Sequence, residues 1–220
     1  MPTLGGVLKF GVPEELSHSQ ILDIIDRFIN AAEIAKQTGF TGVQLHSAHG
    51  YLLSEFLSPN INDRTDQWGG SIENRSRLLI SIIDGIRTKV GNSFPISVKL
   101  NSSDFQKGGF THEESIEVAK LLNSTSLDLL EISGGTYENF AALEIDSFNL
   151  KKMKTIKPQR STVVREAYFL KYAEEIKKFL SIPLAVTGGF RTADGMNSAL
   201  NSGACDVIGL GRPLCSEPEI

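Results

Sequence analysis

The chain has 220 residues, 40% of them hydrophobic and 22% charged, a balance that supports one packed core and suits a single domain over 1–220. Its formal net charge of −4 argues against general partnership with nucleic acid or an anionic membrane surface. No apolar run reaches the roughly 18 residues of a membrane span, and Met1-Pro2-Thr3-Leu4 lacks the charged and apolar regions of a signal peptide.

Ser17-His18-Ser19-Gln20 is a capping-box pattern that opens a first helix. Ile21, Ile24, Ile25, Phe28, Ile29, Ala32 and Ile34 keep its apolar stripe, and Gly39 ends it. A first strand is expected over about 41–46, then a long polar loop from about Ser58 to Gly70. Ser71 caps a second helix carrying Leu78, Leu79, Ile82, Ile83 and Ile86, which Gly91 closes. Strands follow at Pro95–Leu100 and Leu127–Ile132, with a helix between them opened by the capping box Thr111-His112-Glu113-Glu114. A loop over about 136–163 leads to a helix over 164–180, a strand at Ile182–Val186, a short helix over 192–202 and a last strand at Asp206–Ile208.

Apolar strands alternating with amphipathic helices mean a parallel sheet covered by helices. Five such strands admit two architectures: part of a (β/α)8 barrel, or a five-stranded doubly wound sheet. Both place ligands at the C-terminal ends of the strands, so the residues there carry the functional reading. Cys205 and Cys215 form no C-x-x-C pair, and Cys205 precedes an apolar run. A buried free thiol in a reducing, cytoplasmic setting is expected.

His46, His49 and Tyr51 follow the first strand directly, with Gly50 to turn the backbone among them. Three readings stand open for the histidines: metal ligands, satisfied loop residues, or donors to a bound molecule. Zinc needs a third and a fourth ligand. His18 and His112 are expected at the opposite end of the sheet, so no metal site is assigned. Tyr51 is either a proton donor or a packing aromatic. Lys99 lies near the end of an apolar strand, where a charge is costly unless paired or functional. It can form a Schiff base, supply positive charge to a ligand, or point outward. Thr187-Gly188-Gly189 and Gly209-Leu210-Gly211-Arg212 close successive strands, the usual place of a phosphate site in β/α barrels.

Together these residues resemble the old yellow enzyme family of flavin-dependent ene-reductases and NADH:flavin oxidoreductases. The resemblance runs from about Leu16 to the C-terminus. Its most specific pieces are Gly39 through Leu53, Phe56-Leu57-Ser58-Pro59, and Asn62-Asp63-Arg64-Thr65-Asp66-Gln67-Trp68-Gly69-Gly70-Ser71-Ile72-Glu73-Asn74-Arg75. It implies a barrel that binds FMN and passes hydride from NADH or NADPH to an activated alkene, such as an enone, or to another small-molecule acceptor. It implies that His46 and His49 bind a substrate oxygen and that Tyr51 is the catalytic proton donor. Lys99 stands where the family usually has arginine, near the pyrimidine edge of the flavin, and Gly188, Gly189, Gly211 and Arg212 match the phosphate cradle. Lysine keeps the charge but loses the planar fork.

Measured against the family, the first three strands and the closing C-terminal helix are absent, so an incomplete barrel is expected. Five of eight strands should leave two open sheet edges and an apolar inner face, favouring self-association or a complementing chain. The alternatives to an active oxidoreductase are a catalytically impaired fragment and a Schiff-base lyase using Lys99.

Overall fold

A computed structural model describes residues 14–136 and 166–219, together with the backbone of two short strands, β1 (Thr3–Leu4) and β2 (Leu8–Lys9). Those two strands pair antiparallel and were not foreseen from the sequence. Apart from Thr136, the loop expected over 136–163 lies outside the described residues, as does the start of the helix expected at 164.

The helix starts follow the sequence closely because capping chemistry is local. Ser17 and Gln20 form a reciprocal capping box at α1 (His18–Gln37), and Thr111 and Glu114 form another at α4 (His112–Asn123). Ser71 caps α3 (Ile72–Val90), and Gly91 ends it at φ 77°, a left-handed position that glycine takes without strain. Helix α2 (Leu52–Leu57) was not expected: six residues are too few to show a period. Helix α5 (Leu170–Lys177) is shorter than its apolar pattern, and no side chain caps its start at Phe169. Helices α6 (Ala193–Asn201) and α7 (Arg212–Ser216) complete the set.

The strands are β3 (Val43–Ser47), β4 (Ile96–Asn101), β5 (Leu129–Ser133), β6 (Leu184–Thr187) and β7 (Val207–Gly209). Each ends one residue beyond its expected limit. The reason is physical: the parallel ladder runs on through polar residues, as where Asn101 pairs with Ser133, while a hydrophobic pattern stops at the last apolar one.

The five strands form one sheet in the order β3-β4-β5-β6-β7. Successive neighbours with no reversal exclude the switch point of a doubly wound sheet. Right-handed crossovers then stack the helices in one layer, and α1 packs on α3, α3 on α4, and α4 on α5. This is barrel geometry, and among the described residues the sheet is left open at β3 and β7.

The pleat sorts the side chains. Leu45, Val98, Leu130 and Leu184 lie in one paired row, and Leu100, Ile132 and Val186 in the next. They join Ile82, Ile83, Ile86, Val118, Leu122 and Ile176 in the core. Each fully buried aliphatic side chain contributes about 1.5–3 kcal/mol. The opposite face carries Gln44, His46, Ser97, Lys99, Glu131 and Thr187 alongside Leu129, Ala185 and Val207. The expectation of an apolar inner face is therefore corrected: this face, which no helix covers among the described residues, is largely polar.

A second correction concerns His18 and His112. In a parallel sheet each covering helix begins near the C-terminal ends of the strands. The Ser115 hydroxyl, in the first turn of α4, donates to the carbonyl of Asn101 at 2.8 Å. The Trp68 indole N–H donates to His18 Nδ1 at 3.1 Å, tying the start of α1 to the loop beyond β3. Both histidines share the end of the sheet that bears His46. His112 is engaged there by Glu175, Nε2 to Oε2 at 2.9 Å.

Candidate functional site

Beyond Ser47 the backbone enters two successive left-handed residues, His49 at φ 64° and Gly50 at φ 81°. Glycine accepts this freely and histidine does not. The turn folds three rings together. The His46 ring lies 5.2 Å from that of His49 and 5.2 Å from that of Tyr51. His49 Nε2 is 2.8 Å from the Ser133 hydroxyl. Tyr51, just ahead of α2, is 54% exposed.

Burial, then His46 and Lys99, push His49 down to about 4, against an opposing pull from Glu131. Burial and Lys99 lower His46 as well. Both rings are neutral at pH 7, and each offers one N–H donor. The consequence for stability has a definite sign. The unfolded chain takes up a proton on His49 near 6.5 and the folded chain only near 4, so this group's contribution is complete above 6.5 and declines as pH falls from 6.5 towards 4. Urea midpoints of the parent and of His49→Gln, compared from pH 7 to pH 4.5, should show a shallower decline in the variant. Parallel curves would contradict the shift.

Lys99 projects onto the polar face and pairs with Glu131, Nζ to Oε1 at 2.8 Å. Glu131 also accepts from the Gln44 amide at 2.7 Å and from the Thr187 hydroxyl. Burial pushes this carboxyl up, but the hydrogen bonds from Lys99, Thr187 and Gln44 outweigh it and hold the group below the usual carboxylate range. Lys99 therefore does not point outward, and its charge does not stand alone.

An open cavity of about 530 Å³ lies over the strand ends. It reaches from His49, Lys99 and Ser133 to Thr187, Gly188, Gly189, Gly211 and Arg212, and its size suits a small-molecule ligand. His46 and Tyr51 are not among its lining residues; the His46 ring packs against His49, which lines it, and the Tyr51 ring packs against His46. Phe169 and Phe190 supply apolar wall. Gly188 and Gly189 have φ 154° and 82°, and a Cβ on either would meet Phe169 or Tyr168. Gly211 is different: a Cβ there would meet nothing within 4 Å. Arg212 opens α7 beside it.

Three residues at this site were not singled out from the sequence. Ser133, like Thr187 of the first glycine turn, is the polar residue that closes its strand. Glu131 is an acidic residue breaking an apolar strand, a signal available but unused. Arg191 also lines the cavity, its guanidinium donating to the Tyr168 hydroxyl at 3.1 Å. The start of α6 already holds an anion, because Glu166 accepts from the Arg191 and Thr192 N–H groups at 2.7 and 2.8 Å.

Residues 7–220 match the NADH:flavin oxidoreductase / NADH oxidase family. The chain is 37% identical over 221 residues to the NADH-dependent flavin oxidoreductase iliE of Hypocrea jecorina, aligning 99% of this chain with 53% of that protein. The chain spans about half the length, or less, of the curated relatives it matches. A solved 2-naphthoyl-CoA reductase in complex with 2-naphthoyl-CoA superposes with a TM-score of 0.80 at 34% identity, covering 93% of this chain and 29% of that one. The old yellow enzyme homologue from Zymomonas mobilis superposes at 0.72 with 28% identity, covering 96% of this chain and 53% of that one. These likenesses agree with the strand order in favouring the barrel over the doubly wound sheet. With a match over nearly its whole length, on a fold whose strand ends gather the histidines, the lysine and the glycine turns into one place, the chain belongs to the NADH:flavin oxidoreductase / NADH oxidase family.

Proposed function

We propose that the chain is the FMN-binding portion of an oxidoreductase that passes hydride from NADH or NADPH to an activated alkene, such as an enone, or a comparable small-molecule acceptor. The observation that carries this reading is the single cavity uniting His49, Lys99, the paired glycine turns and Arg212 at the strand ends. The donor set suits FMN, with a cation over the sheet, unhindered space at Gly211, and a guanidinium for a phosphate.

When bound, FMN supplies two-electron chemistry, accepting and donating hydride. The protein's part is orientation and electrostatics. Neutral His46 and His49 donate hydrogen bonds to a substrate carbonyl oxygen and draw electron density from the alkene. Tyr51 delivers a proton to the α-carbon from the open side. Lys99, steadied by Glu131, sets positive charge against the electron-rich edge of the cofactor. Gly188, Gly189, Gly211 and Arg212 receive the phosphate.

Among the described residues no helix is long and apolar enough to cross a membrane. Both cysteines are free thiols and Cys205 is buried, which supports the cytoplasmic reading. Among the described residues the outer edges of β3 and β7 are unpaired, and further strands, from a complementing segment or a second copy, would pair there. The Schiff-base reading of Lys99 is disfavoured, because an ammonium held by Glu131 offers no lone pair to a carbonyl.

FMN titrated into the purified chain should lose fluorescence as it binds. Arg212→Ala should weaken that binding by about 1.5–3 kcal/mol, roughly tenfold to a hundredfold. No binding by the parent would remove the flavin reading; equal affinity in the variant would remove Arg212 from the cradle.

A further inference from the structure

His49 holds a backbone conformation that its side chain disfavours, and a specific group keeps it there. Its N–H donates to Asn101 Oδ1 at 3.2 Å. Asn101 closes β4 and is 1% exposed. Its Nδ2 donates to Asp104 Oδ1 and to the Gly135 carbonyl, both at 2.9 Å. Asp104, also 1% exposed, accepts on Oδ2 from the Ser58 hydroxyl at 2.8 Å and the Phe110 N–H at 3.0 Å.

These bonds fix the amide in one sense. Both hydrogens of Nδ2 have acceptors, so Oδ1 faces His49. Turning the amide over would aim hydrogens at the His49 N–H and leave the Asp104 oxygen without a donor. Asp104 accepts from three donors, and the segment carrying it, the turn after β3 and the residues after β5 meet at the Asn101 side chain. A buried, fully partnered network of this kind specifies a single arrangement.

We propose that Asn101 is the positioning residue for His49, and that Asp104 orients the Asn101 amide. The proposal rests on the reading of His49 as a donor to a substrate oxygen. Asn101 holds the backbone of that turn while Ser133 holds the ring, so the imidazole is set before any ligand arrives.

The test uses the 220-residue chain with ¹⁵N-labelled histidine. NMR titration follows the His49 ring, which burial, then His46 and Lys99, hold down and Glu131 opposes. Asn101→Ala should free the turn, and the His49 titration should climb from near 4 towards 6.5. Asp104→Asn, which keeps its shape but sets an NH₂ against the Asn101 amide, the Ser58 hydroxyl or the Phe110 N–H, should give a smaller rise. It also decides the matter if Asn101→Ala does not fold. A second readout separates positioning from general packing. In a His49→Gly background, where a left-handed turn costs nothing, Asn101→Ala should lower the urea midpoint less than in the parent. An unmoved His49 titration in a folded variant, or equal losses in the two backgrounds, would overturn the proposal. Neither measurement needs flavin, so a failure to bind FMN and a failure of this network are told apart.

Discussion

Replacing Tyr51 with phenylalanine in the flavin-loaded protein is expected to slow enone reduction by about 10²–10⁴-fold, the usual worth of a positioned general acid. Reduction of the flavin by NADH or NADPH should keep its rate, because no carbon is protonated in that half-reaction. The geometry supports the separation. The Tyr51 ring packs against His46 at 5.2 Å and is 54% exposed, so losing its hydroxyl removes the proposed proton donor without opening a core cavity. Stopped-flow measurement of the two half-reactions decides it. Equal slowing of both, or an unchanged oxidative half-reaction, would take Tyr51 out of the proton path.

The second large effect is on stability. Arg75→Met should cost about 3 kcal/mol, because it breaks a largely buried ion pair and leaves its partners exposed to no replacement. The Arg75 side chain is only 6% exposed. Its guanidinium donates to Glu114, to the Leu57 carbonyl at the end of α2 and, through Nε, to the Gly70 carbonyl at 3.1 Å. Glu114 in turn closes the capping box at the start of α4. One side chain thus ties together α2, the entry to α3 and α4. Against a typical stability of about 5–15 kcal/mol, this loss should appear as a urea midpoint lower by roughly 1–2 M. Glu114→Gln should cost less, since Glu114 is 26% exposed and partly hydrated. A midpoint unchanged in Arg75→Met would show that the pair does not support the fold.

Much of this architecture is legible in the sequence, where the signals are local. Ser17 with Gln20 and Thr111 with Glu114 satisfy donors within a single turn, so their helices begin where the pattern says. The strands show as apolar runs, but their polar ends do not, because Asn101 and Ser133 join the ladder only through each other. The side of the sheet to which Lys99 belongs was open until pairing with Glu131, across the sheet, resolved it. The two-sided character of the sheet was misjudged for the same reason: Gln44, His46, Lys99 and Glu131 lie on different strands and become one polar surface only in register. The helix ends carrying His18 and His112 were misplaced because connection geometry, not composition, decides which end of a helix faces which edge.

The open sheet also has a polarity of its own. Its strands all run one way, so its two margins are different objects: β3 offers five residues of backbone, and β7 only three. A contact that continued the parallel ladder between two copies would set β7 of one against β3 of the other. Such a joint is heterologous, with no two-fold axis to terminate it. Each added copy would present a fresh margin of the same kind, so the assembly would either close on itself as a ring or grow as a filament with distinct ends. The polar sheet face, bearing the Lys99–Glu131 pair, gives two such assemblies little reason to stack.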